Sequence, residues 1–290
     1  MFGDVSSDHW TPLSWRDLLS EGWDEPFAFA PAGDGGALRQ EWINAANGVF
    51  YRQWVLDYVY RNHVGSKGDQ DQGSWFIFAP LSRRFEILFT VPFVDYRRGA
   101  GATSVPGTGQ GGLAGAGGGA RAAGYGAGFG DISVTPQVLI HETRNTSIMS
   151  ILTIRTPTGS RQGGNGDTSL NPQIQFWQGL PRRWAVRGGV GPTMPLDANG
   201  LRTTFDSNLS IGKFLTLDDV RYFKQFTVFL SANASTTIDD RGPNATSVTI
   251  LPGLRFLLAT DYWFLSGVEL SPVGPGHETY AMFFRLVKRY

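Results

Sequence analysis

Residues 130–141 read Gly-Asp-Ile-Ser-Val-Thr-Pro-Gln-Val-Leu-Ile-His, and the same pattern returns at 147–157 and at 168–178. In the first stretch Ile132, Val134, Pro136, Val138 and Ile140 alternate with Ser133, Thr135, Gln137, Leu139 and His141. In the third, Leu170, Pro172, Ile174 and Phe176 alternate with Ser169, Asn171, Gln173 and Gln175. A period of two places these two sets on opposite faces of a strand. The polar faces carry amides and hydroxyls with almost no charge, too long and regular a pattern for an ordinary solvent-facing strand. The fold turns on what the apolar faces touch.

Working outward, twelve strand candidates follow Gly48, at about 48–63, 73–81, 84–96, 130–142, 146–157, 168–178, 183–195, 202–214, 224–236, 245–259, 262–273 and 279–290. Most exceed the ~9–11 residues a tilted strand needs to cross a bilayer. Their connections nearly alternate in length. Ser82-Arg83, 143–145, 179–182 and 260–261 are short, whereas 64–72, 97–129, 158–167, 196–201, 237–244 and 274–278 are longer; 215–223 breaks the alternation. Membrane barrels have short turns on one rim and long loops on the other, and single-chain bacterial examples have an even strand number. The expected fold is therefore all-β: a closed antiparallel transmembrane β-barrel of about 12 strands with a short helical or irregular N-terminal extension. Parity puts both chain ends on the short-turn rim, read as periplasmic.

Aromatic residues cluster beside the short turns. Trp177, Trp184, Tyr262, Trp263 and Tyr290, joined by Phe85 and Phe223, are expected to form an interfacial girdle. The last strand carries Phe284, Leu286 and Tyr290 on one face and ends on an aromatic, which resembles the C-terminal signal of outer-membrane barrels. Lys288 interrupts that face, at a height where a lysine can snorkel.

Composition narrows the class. The 290 residues include no Cys, 38 Gly, and 25 each of Lys+Arg and Asp+Glu. Only 17 % are charged, against a usual ~25 %, and 13 % are aromatic. No basic stripe suits nucleic acid, and no apolar run reaches the ~20 residues of a membrane helix. Met1-Phe2-Gly3-Asp4 lacks the basic and apolar regions of a signal peptide. With the strand pattern, the expectation is a mature chain of a Gram-negative-type outer membrane.

If the apolar faces meet lipid, the complementary set lines a lumen: Asp57, Arg61, Glu86, Gln137, Arg155, Gln173, Gln175, Arg187, Asp206, Arg255, Glu269 and Arg285. Most are expected to hold the wall together, with a sharper alternative in which the arginines form a permeation ladder for polar or anionic groups. Twelve strands lie between the eight that leave room only for side chains and the 16–18 of an open pore. A narrow or partly occluded passage follows.

Residues 1–47 differ from the rest. Ser14 before Trp15-Arg-Asp-Leu-Leu-Ser-Glu21 and Gly22 predicts one short helix, and 24–36 is irregular. This periplasmic extension either lies across one end of the fold or acts as a plug or partner-docking segment, for which Trp10, Trp15, Trp23 and Trp42 supply apolar surface. The Gly-rich loop 97–129 is expected to be external, the alternative being an inward-folded lid. Gly124-Tyr125-Gly126 lacks the Lys-Ser/Thr and the helix of a phosphate loop.

At Gly128-Phe-Gly-Asp-Ile-Ser-Val-Thr-Pro, Arg155-Thr-Pro-Thr-Gly159 and Gly166-Asp-Thr-Ser-Leu-Asn-Pro, the chain resembles outer-membrane transporters of the family named for the meta-cleavage pathway of phenol degradation, itself distantly like fatty-acid-transporter barrels. The resemblance spans about 40–290. It implies passage of small hydrophobic or aromatic compounds across the outer membrane. The rival is a structural or assembly barrel whose N-terminal arm or outer loops bind envelope proteins. An outer-membrane lipase would need a His–Ser pair on the lipid face at the outer rim; His141 falls on the wrong rim, and His9, His63 and His277 have no evident Ser and acid partners. No enzyme activity, cofactor or metal site is expected; Asp239-Asp240 with Asn244 reads as a solvated turn rather than a weak Ca²⁺ site. The expected partners are outer-membrane lipids and lipopolysaccharide, a small-molecule solute, and an envelope protein reached through 1–47, with no nucleic acid.

Overall fold

The period-two segments become strands. The computed structural model describes residues 7–45, 47–62, 69–97, 107–108, 114–115, 126–160, 166–196, 202–217, 223–239, 245–273 and 280–290. Twelve long strands follow one another: β1 (Gln53–Asn62), β2 (Gln70–Pro80), β3 (Phe85–Arg97), β4 (Ser133–Glu142), β5 (Thr146–Arg155), β6 (Ser169–Leu180), β7 (Trp184–Pro195), β8 (Thr204–Phe214), β9 (Thr227–Thr237), β10 (Thr246–Ala259), β11 (Tyr262–Val273) and β12 (Tyr280–Arg289). Each pairs antiparallel with its neighbour in sequence. The sheet closes where β12 returns to β1, in a register running from Gln53 opposite Arg289 to Asn62 opposite Tyr280. Closure satisfies the backbone within the sheet and leaves no open edge, a condition that lipid imposes on any strand-built structure.

Side-chain burial alternates with the pleat, and its sense is inverted relative to a water-soluble protein. Along β6 the polar Ser169, Asn171, Gln173 and Gln175 are buried, while Ile174 is 48 % exposed. The same inversion puts Leu56, Phe89, Leu209, Leu230 and Phe284 on the outside. A contiguous oily exterior around a polar interior is stable only when hydrocarbon surrounds it. Among the described residues, charge on the outer face sits at the strand ends, where Lys213 lies 5.3 Å over Trp184 and Lys288 lies 4.8 Å over Tyr262, as snorkelling requires.

The connections at 81–84, 143–145, 181–183 and 260–261 sit on one rim. The described ends of the longer connection between β8 and β9 share it, tied by Leu215 N–H donating to the Phe226 carbonyl. Two local expectations are corrected. The helix predicted after Ser14 is a run of turns, and a single 3₁₀ turn occupies Ser7–His9 instead; at three to four residues per turn, a stretch ending in Gly22 (φ +81°) is too short to nucleate without a partner face. The first strand begins at Gln53 rather than Gly48, because 47–52 is still inside the barrel. Most of the Gly-rich loop 97–129, with the lid alternative, lies outside the described residues; within them Gly126–Gly128 pairs with the far end of β3.

Candidate functional site: the lumen and its N-terminal segment

All twelve residues expected to line the lumen lie on the inward face of their strands. In the half away from the short turns the lining is a hydroxyl and amide lattice. Asp206 accepts from Thr193 (2.5 Å) and Ser235 (2.6 Å); Thr193 accepts from Asn171 (2.7 Å). Gln175 donates to Gln173 (3.1 Å) and Gln173 to Asn171 (2.8 Å), one amide step per two residues up β6. Thr135 donates to Thr153 (3.0 Å), and Arg61 to Gln72 (3.0 Å). Gln137 is buried beside them, and Arg155 is half-buried. Around the charged Asp206, Arg61 and Arg155, uncharged donors and acceptors satisfy one another and hold the wall.

The other half is filled by the chain's own N-terminal segment. Residues 10–40 first cross the short-turn rim. Leu13 bridges to Glu142 through paired backbone hydrogen bonds. The Glu142 carboxylate receives Arg39 (2.6 Å), Arg83 (2.9 Å) and the Trp10 indole N–H (2.8 Å). Arg84 reaches the carbonyls of Leu139 and Ser14, each at 2.9 Å. Glu142, Arg83 and Arg84 were not singled out by the sequence reading; two adjacent arginines at the short connection 81–84, facing a glutamate at another turn, is the signal that marks them.

From Gln40 the segment dips into the barrel. Trp42 stacks on Phe229 of β9 (centroids 5.6 Å, planes 2° apart) with Phe214 of β8 beside it. Gly212 provides the slot, since a Cβ there would come within 2.7 Å of the indole. Ser231 donates to the Ile43 carbonyl (3.0 Å). Asn44, at φ 52°, forms the tip and donates to Glu269 of β11 (2.5 Å), which also accepts from Thr249 (3.0 Å). The chain then turns back along β5 and β6, where Ser147 donates to the Gly48 carbonyl. It leaves past Tyr51, whose N–H donates to Glu86 (3.0 Å) and whose hydroxyl accepts from Arg187 (3.2 Å). Trp42, Ile43 and Ala45 are fully buried. Of the two arrangements open for this extension, lying across one end and plugging, the described residues adopt both in succession.

Charge follows the same path. Arg285 grips Asp57 through two hydrogen bonds of 2.5 Å and Glu41 through a third of 2.5 Å. Arg187 lies 4.7 Å over the Trp42 ring and Arg255 lies 5.0 Å over Trp263. In the segment itself, burial pushes the Glu41 carboxyl above its ordinary range while Arg285 pulls it back. Burial lowers Arg39 against the opposing pull of Glu142, and raises the Tyr51 phenol against that of Arg187.

The expected girdle needs correction at two positions. Trp184 (36 % exposed), Tyr262 and Tyr290 (52 %) face outward at the short-turn rim. Trp177 (0 %) and Trp263 (4 %) point into the barrel. The reason is parity: Trp177 shares its face with Gln173 and Gln175, and Trp263 with Glu269. Both indoles serve the lumen, under Arg39 (4.7 Å) and under Arg255 and Arg289 respectively. Of the remaining candidates, Asp239 binds Arg202 (2.6 Å); Asp240, Asn244, His63 and His277 lie outside the described residues. No group of three metal-ligating side chains occurs among the described residues.

Comparison with known proteins agrees with this architecture. An outer membrane channel from Pseudomonas putida F1 superposes with a TM-score of 0.58 at 14 % identity, covering 90 % of this chain and 100 % of the other. The NanC porin superposes with a TM-score of 0.50 at 8 % identity, covering 82 % and 99 %. At such identities the likeness is one of fold: the closed twelve-stranded barrel of outer-membrane porins. No curated protein matches the sequence. The family model described as "Putative MetA-pathway of phenol degradation" matches residues 78–261, more than half of the chain, and the chain belongs to that family.

Proposed function

We propose that this member of the phenol-degradation family is an outer-membrane channel for small solutes, with small hydrophobic or aromatic compounds as the solute class. The short-turn rim then faces the periplasm. The reading rests on one observation: in a closed barrel with an apolar exterior, the half of the interior away from the short turns is lined mainly by matched hydroxyls and amides, from Asn171 and Gln173 through Thr193 to Ser235, with the Asp206 carboxylate held among them. Such a lining lets a weakly polar solute exchange hydrogen bonds without meeting a deep electrostatic trap. The family description supports aromatic solutes. The dipped segment, residues 41–45, is the closing element of the passage, and the reading assigns no catalytic group.

A structural or assembly role is the second reading, favoured by how fully the N-terminal arm is tied to the wall. Conductance in planar bilayers separates the two. The native chain is expected to be largely silent, and a variant with residues 41–45 replaced by a Gly-Ser linker is expected to show discrete channel steps and to admit phenol into vesicles. A folded variant that neither conducts nor admits phenol would leave the structural role in place of the channel.

A further inference from the structure

Four arginines share one patch of the lumen wall in the half nearest the short turns: Arg187 on β7, Arg255 on β10, and Arg285 and Arg289 on β12. All but Arg289 are buried to within 2 % of full enclosure. Among the described residues, carboxylates form an ion pair with one of them, Arg285, which holds Asp57 and Glu41. Arg187 has, among the described residues, a single hydrogen bond, to the Tyr51 hydroxyl (3.2 Å), and its Nε and Nη1 have no acceptor there. Arg255 has no acceptor among the described residues for any of its three nitrogens. Arg289 reaches the Arg39 carbonyl (3.2 Å) and leaves Nε unmatched. Arg255 lies within electrostatic reach of Arg187, Arg289 and Glu41.

A buried guanidinium without an anionic acceptor is costly, and several side by side repel one another. Here the compensation comes from aromatic faces. Arg255 and Arg289 lie 5.0 and 4.7 Å over Trp263, and Arg187 lies 4.7 Å over Trp42. Cation–π contact offsets part of the desolvation but satisfies no N–H. The one carboxylate that the N-terminal segment brings to this patch is Glu41. Trp263 belongs to the wall and would keep Arg255 and Arg289 in place if the segment left; Trp42 and Glu41 belong to the segment and would leave with it.

We propose that Arg187, Arg255, Arg285 and Arg289 form a binding site for small oxyanions, carboxylate or phosphate, and that Glu41 is its resident stand-in, exchanged for an incoming anion when residues 41–45 withdraw. Guanidinium forks match such anions with paired hydrogen bonds, and the ligand would find Arg255 and Arg289 held in place by Trp263. A solute as the source of the anion rests on the channel reading; the binding itself does not.

The test uses the purified full chain in detergent, with Glu41→Ala combined with Trp42→Ala to remove the stand-in carboxylate and open space beside the arginines. Binding of sodium acetate, sodium benzoate and inorganic phosphate is measured by titration calorimetry, after heat-modifiable gel migration confirms a folded barrel. The variant is expected to bind at least one of these about tenfold or more tighter than the native chain, equivalent to about 1.4 kcal/mol. Acetate and benzoate binding identifies a carboxylate solute, and phosphate alone identifies the free ion; either supports the site. Adding Arg187→Gln and Arg255→Gln is expected to abolish it. Should the double variant not fold, Glu41→Ser alone carries the test with a smaller gain in the same direction. No gain in affinity, or a gain that survives loss of both arginines, overturns the site. Binding without conductance would remove the channel reading and keep this one; conductance without binding would do the reverse.

Discussion

Gly48 holds φ at +63°, and a Cβ there would lie 2.5–2.6 Å from the backbone of Phe176 and Trp177. The missing side chain lets the returning arm lie flat on β6 while Ser147 ties its carbonyl. In Gly48→Ala, the left-handed conformation alone costs about 1–2 kcal/mol, and the wall cannot yield because it is sheet backbone. The expected outcome is a folded barrel whose arm has left the lumen. Trypsin should then cut at Arg39, which the native chain buries, and mass spectrometry of the released peptide reads it directly; continued resistance would mean the arm tolerates the side chain. Residue-level facts of this kind were only half legible. The inward set from Asp57 to Arg285 follows from the period-two alternation alone. The use of Gly48 does not, because a glycine's φ is set by what lies across from it, and β6 is some 130 positions further along the chain.

Among elements, the strands announced themselves and the extension did not. β4, β5 and β6 carry a polar–apolar alternation that has one solution, and the alternating connection lengths identify the rims. The stretch from Gln40 to Tyr51 has no period, because its residues meet a different strand almost at each step: β9 at Trp42, β11 at Asn44, β5 at Gly48, β3 at Tyr51. A hint was present in the wall, where inward arginines outnumber the carboxylates available to them, so that something else must bring Glu41. The misplaced girdle tryptophans are an error of proximity over parity: both sit beside a short turn, but the face decides. Single-tryptophan variants in brominated-lipid vesicles check this. Fluorescence of Trp184 is expected to be quenched, and that of Trp177 and Trp263 to be unaffected; quenching of Trp177 would put β6 in the opposite orientation.

At the scale of the molecule, the arm and the wall are coupled through a carboxylate that burial holds above its ordinary range. The sign is definite. With a docked value above the ordinary 4.5, Glu41 favours the docked state fully at pH below 4.5, and this contribution is lost as pH rises through the raised value. Arg285, Arg255 and Asp57 face it, and the attraction of the two arginines moderates the effect without reversing it. Conductance is therefore expected to be lowest in acid and to increase toward neutral pH, while Glu41→Gln, which remains neutral, should flatten the profile. A profile equally steep in Glu41→Gln would move the sensitivity to another group.

The seam between β1 and β12 also dictates a sequence of events. The strand that completes the cylinder is the twelfth in chain order, and its partner follows directly after the arm that ends up enclosed. The arm must accordingly be in place, or be drawn in through the short-turn mouth, before or as the first and last strands zip together. A hairpin tethered immediately ahead of Gln53 would therefore delay closure of the cylinder rather than merely decorate its exterior.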